Sequence, residues 1–68
     1  AMVTRCEQAR QSARWYFYLD NGEVWKQSNT QRLSLGDCRF EVALEKDFFG
    51  YKMTIPSKDR TLRVSRVR

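Results

Sequence analysis

The dipeptide Asn21-Gly22 sits between two runs of aromatic and β-forming residues, Tyr16-Phe17-Tyr18-Leu19 and Val24-Trp25. Asn-Gly in that setting is the strongest short-range signal for a β-hairpin. Both residues tolerate positive φ, which a two-residue type I′ turn needs at its two central positions. Such a turn predicts Leu19 opposite Val24 and Tyr18 opposite Trp25 as cross-strand neighbours. By alternation, Trp15, Phe17, Leu19 and Val24 then share one face, and Tyr16, Tyr18 and Trp25 share the other.

The rest of the chain extends the β reading. Val3 to Ala9 reads as a first strand, with a polar turn at Arg10-Gln11-Ser12; a short helix from Glu7 to Arg14 competes, because Glu, Gln, Ala and Arg favour helices. Arg14 to Leu19 and Glu23 to Ser28 are the hairpin strands. Ser28 to Leu35 reads as a connecting loop, with Leu33 and Leu35 pinned to the core and Gly36-Asp37 punctuating it. Cys38, Phe40, Val42 and Leu44 alternate against Arg39, Glu41 and Glu45, the clearest period-2 pattern present. After a turn at Asp47-Phe48-Phe49-Gly50, the residues Tyr51, Met53 and Ile55 alternate with Lys52 and Thr54. Pro56 to Asp59 ends that strand, since proline cannot donate to a ladder. Thr61 to Val67 is the last strand, with Leu62 and Val64 inward and Val67 out of phase, which predicts a bulge near Ser65-Arg66. About five to six short strands separated by turn signals predict a small barrel or sandwich, closed by pairing the last strand with the first.

A chain of 68 residues is one domain. It buries only about 60% of its unfolded surface, so its core must be dense or stapled. Four Phe, three Tyr and two Trp supply the density. Ala1-Met2 reads as a cloning remnant and residues 3–68 as the domain. No apolar run approaches a membrane span. Thirteen Lys and Arg against eight acids give a net charge of +5. That charge suits nucleic acid, anionic lipid or acidic glycan, and equally suits plain solubility. Cys6 and Cys38 cannot make a zinc site in a chain without histidine. In an oxidising compartment they could close a disulfide loop of about 30 residues, worth roughly 3 kcal/mol; in the cytosol they would be small buried residues. Both readings stay open on the residues alone.

The segment Phe17-x-Leu19-Asp20-Asn21-Gly22-Glu23-Val24-Trp25-Lys26-Gln27 resembles the F-x-L-D-N-G-Q-V-W-x-Q signature near the C-terminus of short, mostly uncharacterised proteobacterial proteins. Many of those proteins carry an export signal. Cys38-Arg39-Phe40-Glu41-Val42, Phe48-Phe49-Gly50-Tyr51-Lys52-Met53 and Arg63-Val64-Ser65-Arg66-Val67-Arg68 are similar to later blocks of the same family. Glu23 stands where the signature has Gln, which leaves the turn chemistry intact. The resemblance implies an all-β, SH3-like barrel from a Gram-negative bacterium, with a periplasmic or envelope location favoured over a cytoplasmic one. It carries over no catalytic residue.

Catalytic chemistry finds little support in these residues. Histidine, the commonest general base and metal ligand, is missing. The acids mostly occupy turns, where Asp accepts local backbone hydrogen bonds, and no glycine-rich phosphate loop exists. The reading is therefore non-enzymatic, with no cofactor and no metal. Two constellations remain as candidate sites. Tyr16, Tyr18 and Trp25, joined by Tyr51, Phe48 and Phe49, could hold an extended peptide, or stack sugars or bases; core packing is the competing role. Arg60, Arg63, Arg66 and Arg68, near Arg5 if the chain ends pair, suit bidentate phosphate or carboxylate binding, against a solvated face paired with Glu7 or Glu41. The expected function is a non-catalytic interaction module of an exported protein, binding a protein, peptide or cell-wall component, with Tyr18 and Trp25 exposed together in a shallow groove. A nucleic-acid-binding barrel using the Arg-rich face is the alternative. A purely structural or self-associating module comes third.

Overall fold

A computed structural model describes residues 1–29 and 35–68. The described residues form seven antiparallel strands: β1 Met2–Gln8, β2 Trp15–Leu19, β3 Val24–Gln27, β4 Phe40–Glu41, β5 Ala43–Asp47, β6 Gly50–Ile55 and β7 Arg60–Arg66. A 3₁₀ turn, Pro56–Lys58, joins β6 to β7. All seven belong to one sheet in the order β4-β1-β2-β3-β7-β6-β5, curled into a half-barrel. The expected count of five to six strands is exceeded because Val42 splits the alternating run after Cys38 into β4 and β5. The same stretch of chain thus supplies both ends of the sheet. β4 pairs with β1 and β5 pairs with β6.

This corrects the expected closure. The last strand does not meet the first; β7 lies between β3 and β6, and the neighbours of β1 are β2 and β4. Met2, set aside in the sequence reading, opens β1 opposite Glu41, and the N–H of Val42 donates to the carbonyl of Ala1 at 2.9 Å. No helix forms over Glu7 to Arg14. There β1 runs through Gln8, and a turn closes with Ala13 N–H donating to Ala9 O at 2.9 Å and Ala13 at φ 57°. Leu33 lies outside the described residues; Leu35 packs against the core.

The Asn-Gly hairpin forms, but with a different turn. Gly22 N–H donates to Leu19 O at 3.1 Å, and Leu19 N–H donates to Glu23 O at 2.9 Å. Gly22 takes φ +88°, whereas Asn21 stays out of the left-handed region. The loop is therefore Asp20-Asn21-Gly22: a tight turn followed by a left-handed glycine, the three-residue hairpin with a G1 bulge. Side-chain bonds hold it, with Asn21 Oδ1 accepting from Glu23 N–H and Asp20 Oδ1 from Met2 N–H. The register moves by one residue, so that Tyr18 faces Val24, Phe17 faces Trp25 and Tyr16 faces Lys26.

A one-residue slip exchanges the two faces of a strand. The expected register would turn Val24 and Lys26 toward the core; the observed one turns Trp25 and Gln27 inward. Burying an indole is worth roughly 5 kcal/mol at about 25 cal/mol per Å2, and a lysine ammonium is costly to desolvate without a partner. Gln27, fully buried, is satisfied at both ends: its Oε1 accepts from Trp15 N–H at 3.1 Å and its Nε2 donates to Asn29 Oδ1 at 2.9 Å.

The core comprises Val3, Phe17, Leu19, Trp25, Phe40, Val42, Met53, Ile55, Leu62 and Val64. Val3 and the half-buried Cys6, an odd number of positions apart, both pack inward because the β1–β2 register shifts between Val3 and Arg5. Thr4 is the extra residue of a bulge there. A second irregularity falls at Val67-Arg68, where both N–H groups donate to Val24 O at 2.8 and 3.2 Å. The bulge expected at Ser65-Arg66 is not there; β7 keeps regular register against β3 through Arg66.

The turn assignment predicts an order of substitution costs at Gly22, the left-handed residue of the loop. No atom lies within 4 Å of a Cβ placed on Gly22, so the cost of Gly22→Ala is left-handed backbone strain alone, about 1–2 kcal/mol. Gly22→Asn should cost less, because Asn tolerates that region. Urea denaturation of the two variants checks the order.

Candidate functional site

The outer face of β1, β2 and β3 presents a compact set of aromatic and charged side chains. Tyr16 and Tyr18, two positions apart on β2, share this face and are half-buried. Across the β1–β2 ladder Tyr18 faces Arg5, whose guanidinium lies 4.1 Å from the ring centroid. Across the β2–β3 ladder Tyr16 faces Lys26, whose ammonium lies 5.8 Å from the ring centroid. Both distances fall within the range of a cation–π contact. Glu7 borders Tyr16 from β1 and pairs with Arg5 at 3.2 Å. Val24, opposite Tyr18, is buried yet outside the main core cluster.

Two of the six aromatic candidates, Tyr16 and Tyr18, therefore meet on this face, and the other four do not. Trp25 is 3% exposed and lies on the inner face, with its ring centroid 5.0 Å from that of Tyr51 in an edge-to-face contact. Its indole N–H donates to Glu23 Oε1 at 3.1 Å. The expected exposed pairing of Tyr18 with Trp25 does not occur, because the three-residue turn sends them to opposite faces. Tyr51 packs against the core from β6. Phe48 and Phe49 stand apart from both groups, at the tip of the β5–β6 hairpin. Arg5 and Lys26 partner the tyrosines without being foreshadowed by their places in the sequence. Their proximity depends on two strand registers, and neither register is written in local composition.

The arginine set does not form one patch. Arg63 and Arg66 are an odd number of positions apart on a regular strand, so they take opposite faces. Arg63 Nη1 donates to both carboxylate oxygens of Asp47, at 2.8 and 2.7 Å. Arg66 reaches Glu23 at 3.5 Å and donates through Nε to the carbonyl of Arg68. Arg60 opens β7 in an exposed position, and Arg5 lies across the sheet with Tyr18. The acidic partners of Arg63 and Arg66 are Asp47 and Glu23, not the expected Glu7 and Glu41; Glu7 pairs with Arg5 within β1, and Glu41 faces the N-terminal ammonium at 3.7 Å.

Cys6 and Cys38 are joined as a disulfide, with Cα atoms 5.4 Å apart. The bridge ties the segment before β4 to the middle of β1. Among the described residues no group of three or more His, Cys, Asp or Glu is placed to hold a metal ion. Asp47 is the carboxyl group whose titration is clearly moved. The Arg63 hydrogen bonds hold it below its ordinary range, aided by the backbone N–H of Phe49 and the charge of Lys52, against a smaller opposing effect of desolvation. No helix among the described residues is long and apolar enough to cross a membrane. Compared with protein-family models, curated proteins and solved structures, the chain matches none.

Two measurements check these ties. A group with a depressed folded pKa adds stability above its unfolded pKa, here near 3.8, and loses it as pH falls through the lower folded value. Carboxyl NMR should therefore place the Asp47 midpoint below 3.8, and Arg63→Gln should raise it. Reducing the disulfide should remove about 3–4 kcal/mol and lower Tm by more than about 10 °C, as read by calorimetry with and without reductant.

Proposed function

We propose that this domain is a non-catalytic interaction module, a small barrel of the SH3-like type, that docks an extended segment of a protein or peptide partner. The observation that carries the proposal is the outer β1–β2–β3 face, where Tyr16 and Tyr18 lie side by side and Arg5 and Lys26 flank them. Aromatic plates on a sheet surface bind extended chains by covering alternate side chains or proline rings. The cations beside them favour carboxylates on that chain, and the net charge of +5 favours acidic partners at long range. A non-catalytic role is supported by the absence of histidine, by the pairing of both cysteines and by the engagement of Asp47 with Arg63. The disulfide supports an oxidising location such as the periplasm or cell envelope of a bacterium.

A nucleic-acid reading has one observation in its favour: each half-buried tyrosine of this face carries a cation, the arrangement that stacks a base and neutralises its phosphate. The arginines of β7 contribute little to it, since Arg63 and Arg66 are engaged with acids.

Amide NMR titration with an acidic, proline-containing peptide should shift Arg5, Tyr16, Tyr18 and Lys26 together. Tyr18→Ala should weaken binding about tenfold or more while leaving the fold intact, because the ring lies outside the core. Shifts confined to other surfaces, or unchanged affinity in the variant, would overturn the assignment. If a single-stranded oligothymidylate binds instead, with affinity falling steeply between about 50 and 200 mM salt, the nucleic-acid reading replaces it.

A further inference from the structure

The turn between β5 and β6 carries the largest departure from ordinary surface chemistry in the described residues. Phe48 is 102% exposed and Phe49 is 87% exposed, side by side at a hairpin tip. The tip is held rather than loose. Asp47 pairs with Gly50 across the ladder, Asp47 Oδ1 accepts from Phe49 N–H at 2.9 Å, and Arg63 grips the same carboxylate with two hydrogen bonds. Gly50, at φ +123°, supplies the backbone conformation that brings the chain back into β6. The hairpin thus spends a charged anchor on presenting two phenyl rings to solvent.

The geometry points to a lipid bilayer with anionic headgroups as the occupant of this tip, with Phe48 and Phe49 seated at the interface. Two features select it. The apolar surface is small and convex: two Phe rings offer roughly 300–500 Å2, against the ~800 Å2 per partner of a stable protein interface. A protein partner would need a pocket shaped to the tip, whereas a bilayer interface takes up a protruding ring without shape complementarity. The charge around the tip has the matching sign. Glu45 is paired with Lys52 and Asp47 with Arg63, whose guanidinium also lies 5.8 Å from the Phe49 ring centroid, and Lys46, two positions before Phe48, is the surplus charge of the hairpin on a chain of net charge +5. Shallow insertion of two rings gives weak, reversible binding that anionic lipid strengthens. The tip is separate from the tyrosine face, so this inference does not rest on the peptide-docking proposal.

The test is co-sedimentation of the whole domain with phosphatidylcholine vesicles holding one third phosphatidylglycerol, against pure phosphatidylcholine, at about 50 and 500 mM salt. Binding is expected to the anionic vesicles at low salt, about tenfold weaker to neutral ones. The double variant Phe48→Ser/Phe49→Ser, altered only at exposed positions, should lose about tenfold or more while keeping its amide NMR spectrum. Tyr16→Ala/Tyr18→Ala should leave vesicle binding unchanged, which separates this outcome from failure of the peptide-docking face. Failure of the wild type to sediment, or equal sedimentation of the Phe48→Ser/Phe49→Ser variant, overturns the proposal.

Discussion

The fold depends on Phe17 standing opposite Trp25. Phe17 is fully buried, faces Cys6 on one side and Trp25 on the other, and meets Phe40 edge-on with ring centroids 6.4 Å apart. Trp25 in turn meets Tyr51. The two edge-on contacts thus join β4 to β2 and β3 to β6, strands that share no hydrogen bonds, while the β2–β3 ladder sets Phe17 opposite Trp25 between them. In so short a domain these few large side chains provide much of the area that can be removed from water. The three-residue turn with its left-handed Gly22 is what sets this pairing, by fixing the register of β3 against β2. A single residue of slip would exchange the indole for a lysine on the inner face.

Two further devices hold the curl. The chain leaves β4 and enters β5 through Val42, which is buried in the core and bonded to the backbone of Ala1. Covalent continuity through one residue thereby links the two ends of the sheet order. The disulfide then ties Cys38, just upstream of β4, to the centre of β1. Loop closure by a cross-link of that span removes unfolded-state entropy that a small core is poorly able to offset. Lys58, from the 3₁₀ turn, places its ammonium 5.3 Å from the Phe40 ring centroid and covers one end of these aromatic contacts.

Element positions were legible from the residues, since alternation and punctuation are local signals. Phe40, Val42, Met53, Ile55, Leu62 and Val64 are buried where period-2 patterning places them, and proline ends β6 as expected. Register and topology were not legible in the same way. Asn-Gly is compatible with two hairpins that differ by one residue, and the choice between them is made by burial rather than by turn chemistry. A signal did exist further along: only one of the two registers keeps Lys26 out of the core, and it admits Gln27, whose amide can be satisfied there. The arginines of β7 show the same gap between local pattern and tertiary arrangement. Their spacing already places Arg63 and Arg66 on opposite faces unless a bulge intervenes, and their acidic partners come from β5 and from the residue before β3, which only the strand order brings near.

These registers also decide how the chain's charge is distributed. Lys52 engages Glu45 on the neighbouring strand, Arg63 reaches past β6 to Asp47 of β5, and Arg66 reaches Glu23 just before β3, so these cations of β6 and β7 are paired with acids along the sheet. Exposed ion pairs of this kind add little individually, but they remove the uniform positive field that an arginine count suggests. Cations lie against rings at both surfaces: Arg5, itself paired with Glu7, and Lys26 at the tyrosines, and Arg63 at Phe49, with Lys46 just before the phenylalanine tip. A ring face and a cation together favour ligands that are at once planar or apolar and negatively charged. The two surfaces differ in shape, a sheet face at the tyrosines and a convex point at Phe48-Phe49. That difference, more than charge, suits the first to an extended chain and the second to a soft, deformable interface.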